Sequence, residues 1–338
     1  MKSQANRQVR LKSRPSGIPQ ADNFEIAEAP VPEIADKQFL VRNEYLSVDP
    51  AMRGWVSAVA NYSTPVGIGE VMRAFSAGKV IASRHPNYRE GDAVMGMLGW
   101  QEYAVSDGST ITRKVKEIDL PLSLSLGVLG LNGVTAYFGL LDVGQPRPGD
   151  NVVVSTAAGA VGSTVGQIAK LMGCRTVGIT GGPIKCKLCR EEFGYDEVID
   201  YKSAGLADAL RKACPRGVDV YFDNTAGSIS DAVLPQLAPG ARVVICGTAS
   251  VASWDPPPTG PRIERHILVK RARMAGFLIF DYQHRYEEAV TRLSEWVRQG
   301  RLRFREEISE GIENCPGAID ELYRGQNLGK RLIRLRDH

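Results

Sequence analysis

The stretch Ala157-Ala158-Gly159-Ala160-Val161-Gly162 has the residue types and spacing to hold a phosphate. Small side chains let an anion approach the backbone, and the free N–H groups of a following helix offer it partial positive charge. The pattern is A-x-G-x-x-G, the dinucleotide fingerprint with alanine at its first position. "NVVVST" before it reads as a buried strand. "VGSTVGQIAKLMG" after it reads as a helix with Val165, Ile168 and Met172 on one face. The fingerprint alone is weak; its strand–turn–helix setting favours a pyrophosphate site over a turn made only for packing.

The next strand bears on which nucleotide is held. In NAD sites the second strand usually ends in an acid that binds the ribose 2′-hydroxyl. Here "RTVGIT" (175–180) is followed by Gly181, Gly182 and then Lys185. A lysine attracts the 2′-phosphate that an acid would repel, so the residues favour NADP(H). The competing reading of Lys185 is a solvated helix lysine.

Cys186 and Cys189 form a C-x-x-C pair, a spacing that suits zinc or redox chemistry. They lie in "KCKLCREEFG", which reads as a helix, and no second pair or histidine couple follows. Two reduced helix cysteines are the favoured reading. The other four, Cys174, Cys214, Cys246 and Cys315, are expected to be free thiols as well.

A chain of 338 residues suits two domains. The first 125 or so read as short strands punctuated by Gly and Pro, among them "QFLVRNEYLSV" (38–48), "AGKVIAS" (77–83) and a hairpin-like segment, 88–105. An apolar, helix-like run covers 124–144. From Asn151 strands and helices alternate, the pattern of a doubly wound, mainly parallel sheet. "YEEAVTRLSEWVRQG" (286–300) is an amphipathic helix, and "KRLIRLR" a final strand able to return to the N-terminal domain.

The apolar fraction of 43% and charged fraction of 24% are ordinary for a globular protein. A net charge of +4 with no basic run argues against nucleic acid or an anionic membrane as partner. No eighteen-residue apolar stretch occurs, and no apolar segment follows the basic N-terminus, so a cytoplasmic location is expected.

Many motifs together resemble the zinc-independent medium-chain dehydrogenase/reductases, in the branch of the leukotriene B4 dehydrogenase/prostaglandin reductases and the double-bond (curcumin) reductases. They are "LSVDPAMRGW" (46–55), "GWQEYAV" (99–105), "GVTAYFGLLDVG" (133–144), "AAGAVGSTVGQIAKLMGC" (157–174), "VDVYFDNTAG" (218–227), "VVICGTAS" (243–250) and "NLGKRLI" (327–333). The resemblance implies an α/β protein: a Rossmann doubly wound parallel sheet plus a β-rich GroES-like substrate domain built from both chain ends. The expected boundaries are 1–127 with 301–338, and 128–300 for the Rossmann domain.

The resemblance also carries roles onto matching positions. Gly159, Ala160, Val161 and Gly162 are expected at the pyrophosphate of NADPH, and Lys185 and Tyr201 near its 2′-phosphate. Asn224, Cys246, Gly247, Phe277, Leu278 and Ile279 are expected around the nicotinamide half, with Thr135 and Asn327 completing the set. For Phe277, Leu278 and Ile279 a core strand is an equally good reading. A homodimer is implied too.

Zinc alcohol dehydrogenases share this fold, but they need Cys, His and acidic ligands in the first domain. Here no cysteine precedes Cys174, and His85 is the only histidine before His266. The expectation is therefore a metal-free hydride transfer from NADPH to the C=C of an enal or enone. A quinone reductase, or an NADPH-binding protein with negligible turnover, remains an alternative. Many relatives have a tyrosine where Ala51 stands in "DPAMR", and another near Ala252. Tyr62 is the remaining candidate donor to the substrate oxygen, with loop packing as its other reading. Trp55 or Trp254 could fill the vacated space.

Overall fold

A computed structural model describes residues 5–58, 63–251, 256 and 258–336. Tyr62, Ala252 and Trp254 lie outside the described residues. The chain divides into two compact units, Met1–Gly127 with Glu306–His338, and Val128–Arg305. The second unit thus runs five residues past the expected boundary at 300. Its last turn is held by Gln167, whose Nε2 donates to the Arg303 carbonyl at 2.9 Å and whose Oε1 accepts from the Arg303 N–H at 2.7 Å.

The first unit is built on β-structure. β1 (Ala5–Leu11) and β2 (Phe24–Pro30) form an antiparallel pair. β3 (Phe39–Ser47), a short helix α1 (Ala51–Trp55), β4 (Ser76–Ser83), β5 (Ala93–Gly96), β6 (Tyr103–Ser106) and β7 (Ile111–Lys114) follow. Alternation turns Phe39, Val41, Val80, Val94, Ala104 and Ile111 into one buried cluster. The expected hairpin in 88–105 is not formed. β5 pairs with β4 and β7, whereas β6 pairs with β3. The segment 97–102 is a crossover fixed by Trp100, whose indole N–H donates to the Ser47 carbonyl at 3.0 Å.

The second unit opens with α2 (Leu131–Phe138), continuous with a wide π-helical turn, Gly139–Gly144. The apolar run 124–144 is therefore not one helix, because Gly127 and Gly130 break it and a 3-10 turn covers Leu122–Leu126. Then come β8 (Asn151–Ser155), α3 (Ala160–Leu171), β9 (Arg175–Thr180), α4 (Pro183–Glu191), β10 (Glu197–Asp200), α5 (Leu206–Ala213), β11 (Val218–Asp223), α6 (Gly227–Val233), β12 (Leu237–Ile245), α7 (Glu264–Lys270), β13 (Arg273–Gly276) and α8 (Tyr286–Arg298). The six strands lie in the order β10-β9-β8-β11-β12-β13, and every pairing is parallel. That is the doubly wound order, with its reversal between β8 and β11. Val153, Val177, Ile179, Tyr221 and Val243 fill one face of the sheet.

The chain then returns to the first unit through β14 (Glu306–Glu310), α9 (Cys315–Tyr323) and β15 (Lys330–Arg334), which pairs with β3 as expected of "KRLIRLR". A buried charge pair fastens this return. Lys330 is 4% exposed, and its ammonium donates to Ser47 Oγ (2.6 Å), the Val48 carbonyl (2.9 Å) and Asp49 Oδ1 (2.7 Å). All three ammonium donors are used, which is what makes a buried lysine tolerable. Among the described residues, no helix is long and apolar enough to cross a membrane.

Candidate cofactor site

Ligands of open α/β sheets bind at the carboxyl ends of the strands, beside the reversal of strand order. β8 ends at Ser155 there, and β11 at Asp223, with Asn224 next in the chain. Asn224 Nδ2 donates to the Ser155 carbonyl at 2.7 Å, and the Asn224 N–H donates to Ser155 Oγ at 2.8 Å. Beneath them Asp223, 1% exposed, is the hub of a polar network. Its Oδ1 accepts from the Thr225 and Ala226 N–H groups, both at 2.9 Å, and from the Tyr221 hydroxyl at 3.0 Å. Its Oδ2 accepts from Ser230 Oγ at 2.5 Å. A buried carboxylate needs such a shell of donors, and the shell fixes the backbone of 223–226.

The fingerprint turn is tight. Thr156 begins it at φ +54, strained for a β-branched residue, and its carbonyl accepts from the Gly159 N–H at 2.9 Å. A Cβ on Gly162 would come within 2.2 Å of that carbonyl, so glycine is required there. The helix then starts, and the N–H groups of Ala160, Val161 and Gly162 head it without intrahelical acceptors.

Alanine in place of the first glycine has a local compensation. The Ala157 methyl lies where a Cβ on Gly178 of β9 would be, 2.8 Å away. Tyr195 fills the rest of that space. Its ring would collide with a Cβ on Gly166, 2.2 Å from Cζ, and its hydroxyl donates to the Gly162 carbonyl at 2.6 Å. The glycines of α3 and β9 thus make room for one buried tyrosine that braces the turn. Sequence reasoning missed Tyr195, because its signal is only an aromatic after a helix.

At the end of β9, Gly181 and Gly182 are half-buried. A Cβ on Gly181 would lie 2.9 Å from the Tyr201 ring and 3.0 Å from Lys202 Cε, so both side chains lie over the bare glycine. Gly182, at φ +87, faces open space. Asp200 Oδ1 accepts from the Gly182 N–H at 2.9 Å and the Lys202 N–H at 3.0 Å. These bonds hold the Asp200 carboxyl below the usual carboxylate range. Lys185 is half-buried in the first turn of α4.

The structure therefore gathers Gly159–Gly162, Asn224, Gly181, Tyr201 and Lys185 along the carboxyl ends of one sheet. Cys246 and Gly247 follow β12 at that same end, their N–H groups donating to the Asp223 carbonyl at 2.8 and 3.1 Å. Burial, with the Asp223 carboxylate nearby, pushes the Cys246 thiol up to about 12. Phe277 packs inward: a Cβ on Gly139 would lie 2.5 Å from its ring, and Tyr282 meets it edge-on. Leu278 is 40% exposed, whereas Ile279 is buried. Neither is in a strand, since β13 stops at Gly276. Thr135 is half-buried on α2, which packs against α3. Asn327 belongs to the other unit, where its Nδ2 donates to the Gly329 carbonyl at 2.9 Å.

Cys186 and Cys189 are buried free thiols of α4, and burial raises both, Cys189 to about 12. Among the described residues no three Cys, His, Asp or Glu side chains gather as a metal site. His85 packs edge-on to Phe39 and Tyr88. Ala51 is half-buried in α1, and Trp55 is buried against Phe75.

The chain is similar to known oxidoreductases over nearly its whole length. Residues 7–114 match the family described as the N-terminal domain of oxidoreductase, and residues 160–295 the family described as zinc-binding dehydrogenase. The chain is 44% identical over 337 residues to the NADPH-dependent curcumin reductase of Escherichia coli, covering 98% of this chain and 97% of that one. It is 36% identical to the NADP(+)-dependent 2-alkenal reductase of Nicotiana tabacum, with 97% of each covered. The crystal structure of CurA from Vibrio vulnificus in complex with NADPH superposes with a TM-score of 0.92 at 44% identity, over 98% of this chain and 100% of that one. The chain therefore belongs to the medium-chain dehydrogenase/reductases, in the zinc-independent branch that holds the curcumin and 2-alkenal reductases.

Proposed function

We propose that this chain is an NADPH-dependent reductase of carbon–carbon double bonds conjugated to a carbonyl, in enals or enones. The observation that carries the cofactor choice is the end of β9, where a bare Gly181 replaces the acid of NAD sites and a lysine and a tyrosine crowd it. The names of the curcumin and 2-alkenal reductases support the substrate class.

The residues present fit a dinucleotide. Gly162 leaves the close approach that a Cβ would block, and Gly182 leaves open space beside the ribose end. In this reading Gly159, Ala160, Val161 and Gly162 bind the pyrophosphate, and Lys185 and Tyr201 the 2′-phosphate. Asn224, Cys246, Gly247 and the 277–279 segment border the nicotinamide half, with Phe277 and Ile279 acting through packing. Thr135 and Asn327 complete the set by family resemblance. NADPH supplies the hydride when bound. Tyr62, outside the described residues, is the proposed donor to the carbonyl oxygen, stabilising the negative charge that develops there. NADPH oxidation measured over a panel of enals, enones, quinones and substrate-free blanks tests the reading. Turnover of quinones alone, or no turnover above the blank, contradicts it.

The proposal includes a homodimer. β13 pairs only with β12 among the described residues, and all four of its residues are exposed. Leu268, Val269, Met274 and Phe280 add exposed apolar surface around this edge. A bare strand edge with apolar flanks is suited to pairing with a second copy. Sedimentation should show a dimer that Met274→Lys weakens; a monomer at micromolar concentration contradicts this.

A further inference from the structure

We infer that Lys202 is a second cationic arm of the 2′-phosphate pocket and a determinant of the choice of NADPH over NADH, an inference that rests on the cofactor reading above. The place is the decisive point. In NAD sites the acid that grips the 2′-hydroxyl projects from the end of the second strand. Here that end is Gly181, and the volume its side chain would occupy is taken by the Tyr201 ring and by Lys202 Cε, 3.0 Å from where a Cβ would sit. An acid at 181 would have to displace these two side chains, and a cation stands beside the spot instead.

The arm is also held by its backbone. Asp200 Oδ1 bridges the N–H groups of Gly182 and Lys202, tying the end of β9 to the residue that follows β10. Those bonds commit one carboxylate oxygen to the backbone and keep residues 181–182 and 200–202 in register. The ammonium of Lys202 has no hydrogen bond or ion pair among the described residues, and the residue is exposed. Lys185 comes from a different element, the first turn of α4, so the two lysines stand on separate supports beyond the ends of β9 and β10. A phosphate monoester carries a charge of about −1.5 to −2 at neutral pH, which two lysines match better than one.

The test is binding, measured by calorimetry with NADPH, NADH, 2′-AMP and 5′-AMP on wild type, Lys202→Met, Lys202→Arg and Lys202→Glu. The pair is solvent-exposed, so Lys202→Met should weaken NADPH and 2′-AMP by about 2- to 5-fold. NADH and 5′-AMP should hardly change. Lys202→Arg should keep the preference, and Lys202→Glu should lose more than the methionine variant. The wild-type NADPH advantage should also shrink with salt more steeply than that of Lys202→Met. A wild type that prefers NADPH, paired with a Lys202→Met that keeps the whole preference or loses both cofactors equally, overturns the role of Lys202 alone. A wild type that holds NADH as tightly as NADPH overturns the cofactor reading and the assignment with it.

Discussion

Asn224 and Ser155 are joined twice, side chain to carbonyl at 2.7 Å and N–H to hydroxyl at 2.8 Å, across the two strands where strand order reverses. The crevice where a dinucleotide would cross the sheet is closed beneath by this double link. Ser155 is fully buried, and Ser155→Ala strips the Asn224 N–H of its acceptor. Such a loss costs about 1–3 kcal/mol. Denaturant titration should show that drop in stability, and calorimetry a weaker NADPH complex.

Lys185→Ala tests the other end of the site. A hydrogen bond to a charged group contributes roughly 1.5–3 kcal/mol, or about 10- to 150-fold in affinity. NADPH should weaken towards the lower end of that range, because the site is partly open to solvent, while NADH binding stays nearly constant. Equal losses for both cofactors would assign Lys185 to packing instead.

The brace under the fingerprint turn gives a separable prediction. Tyr195→Phe removes only the hydroxyl that donates to the Gly162 carbonyl and should cost about 0.5–1.5 kcal/mol. Gly166→Ala drives a methyl into the Tyr195 ring and should cost about 1–3 kcal/mol by overpacking. In the double variant Gly166→Ala, Tyr195→Leu, part of the second loss should return, because the clashing ring is gone. Thermal melts of the four proteins check this.

The charged cluster of the first unit sets a pH dependence. Lys330→Met leaves Asp49 buried and unpaired, which should cost about 3–5 kcal/mol, and adding Asp49→Leu should recover most of it. Glu306, paired in register with Lys330, has its carboxyl raised chiefly by burial, with Ser123 and Lys330 opposing. Its folded form therefore keeps a proton that the unfolded chain releases near pH 4.3 (about the free glutamate value). Stability should fall as pH rises from there through the raised value, and Glu306→Gln should remove that component of the slope. Unfolding free energies of both proteins, measured from the free glutamate value upward in pH, test the sign.

Much of this was legible in the residues. The alternation after Asn151 announced the parallel sheet, since strand and helix periods differ and glycines mark the turns. The fingerprint at Ala157–Gly162 announced where its ligand end lies. Less legible were relations made by distant residues. Nothing local in "GYDEVIDYK" says that Tyr195 braces Gly162 or that Lys202 lies beside Gly181, because both depend on glycines far back in the chain. The 88–105 segment misled for a similar reason. Its two strands alternate correctly, but each finds a different partner once β3 and β4 are in place. The run "GFLIF" allows a core strand or cofactor contact by its apolar content, and it is a strand end followed by a 3-10 turn.

The central claim is hydride transfer from NADPH to the β-carbon of an enone, and isotopic labelling tests it most directly. Incubate the protein with NADPH deuterated at C4 of the nicotinamide and a simple enone, in ordinary water, and locate the deuterium by NMR. The account predicts a saturated ketone with one deuterium on the β-carbon, and a proton from water on the α-carbon. Deuterium on the carbonyl carbon of an allylic alcohol, or no labelled product above a protein-free blank, would contradict it.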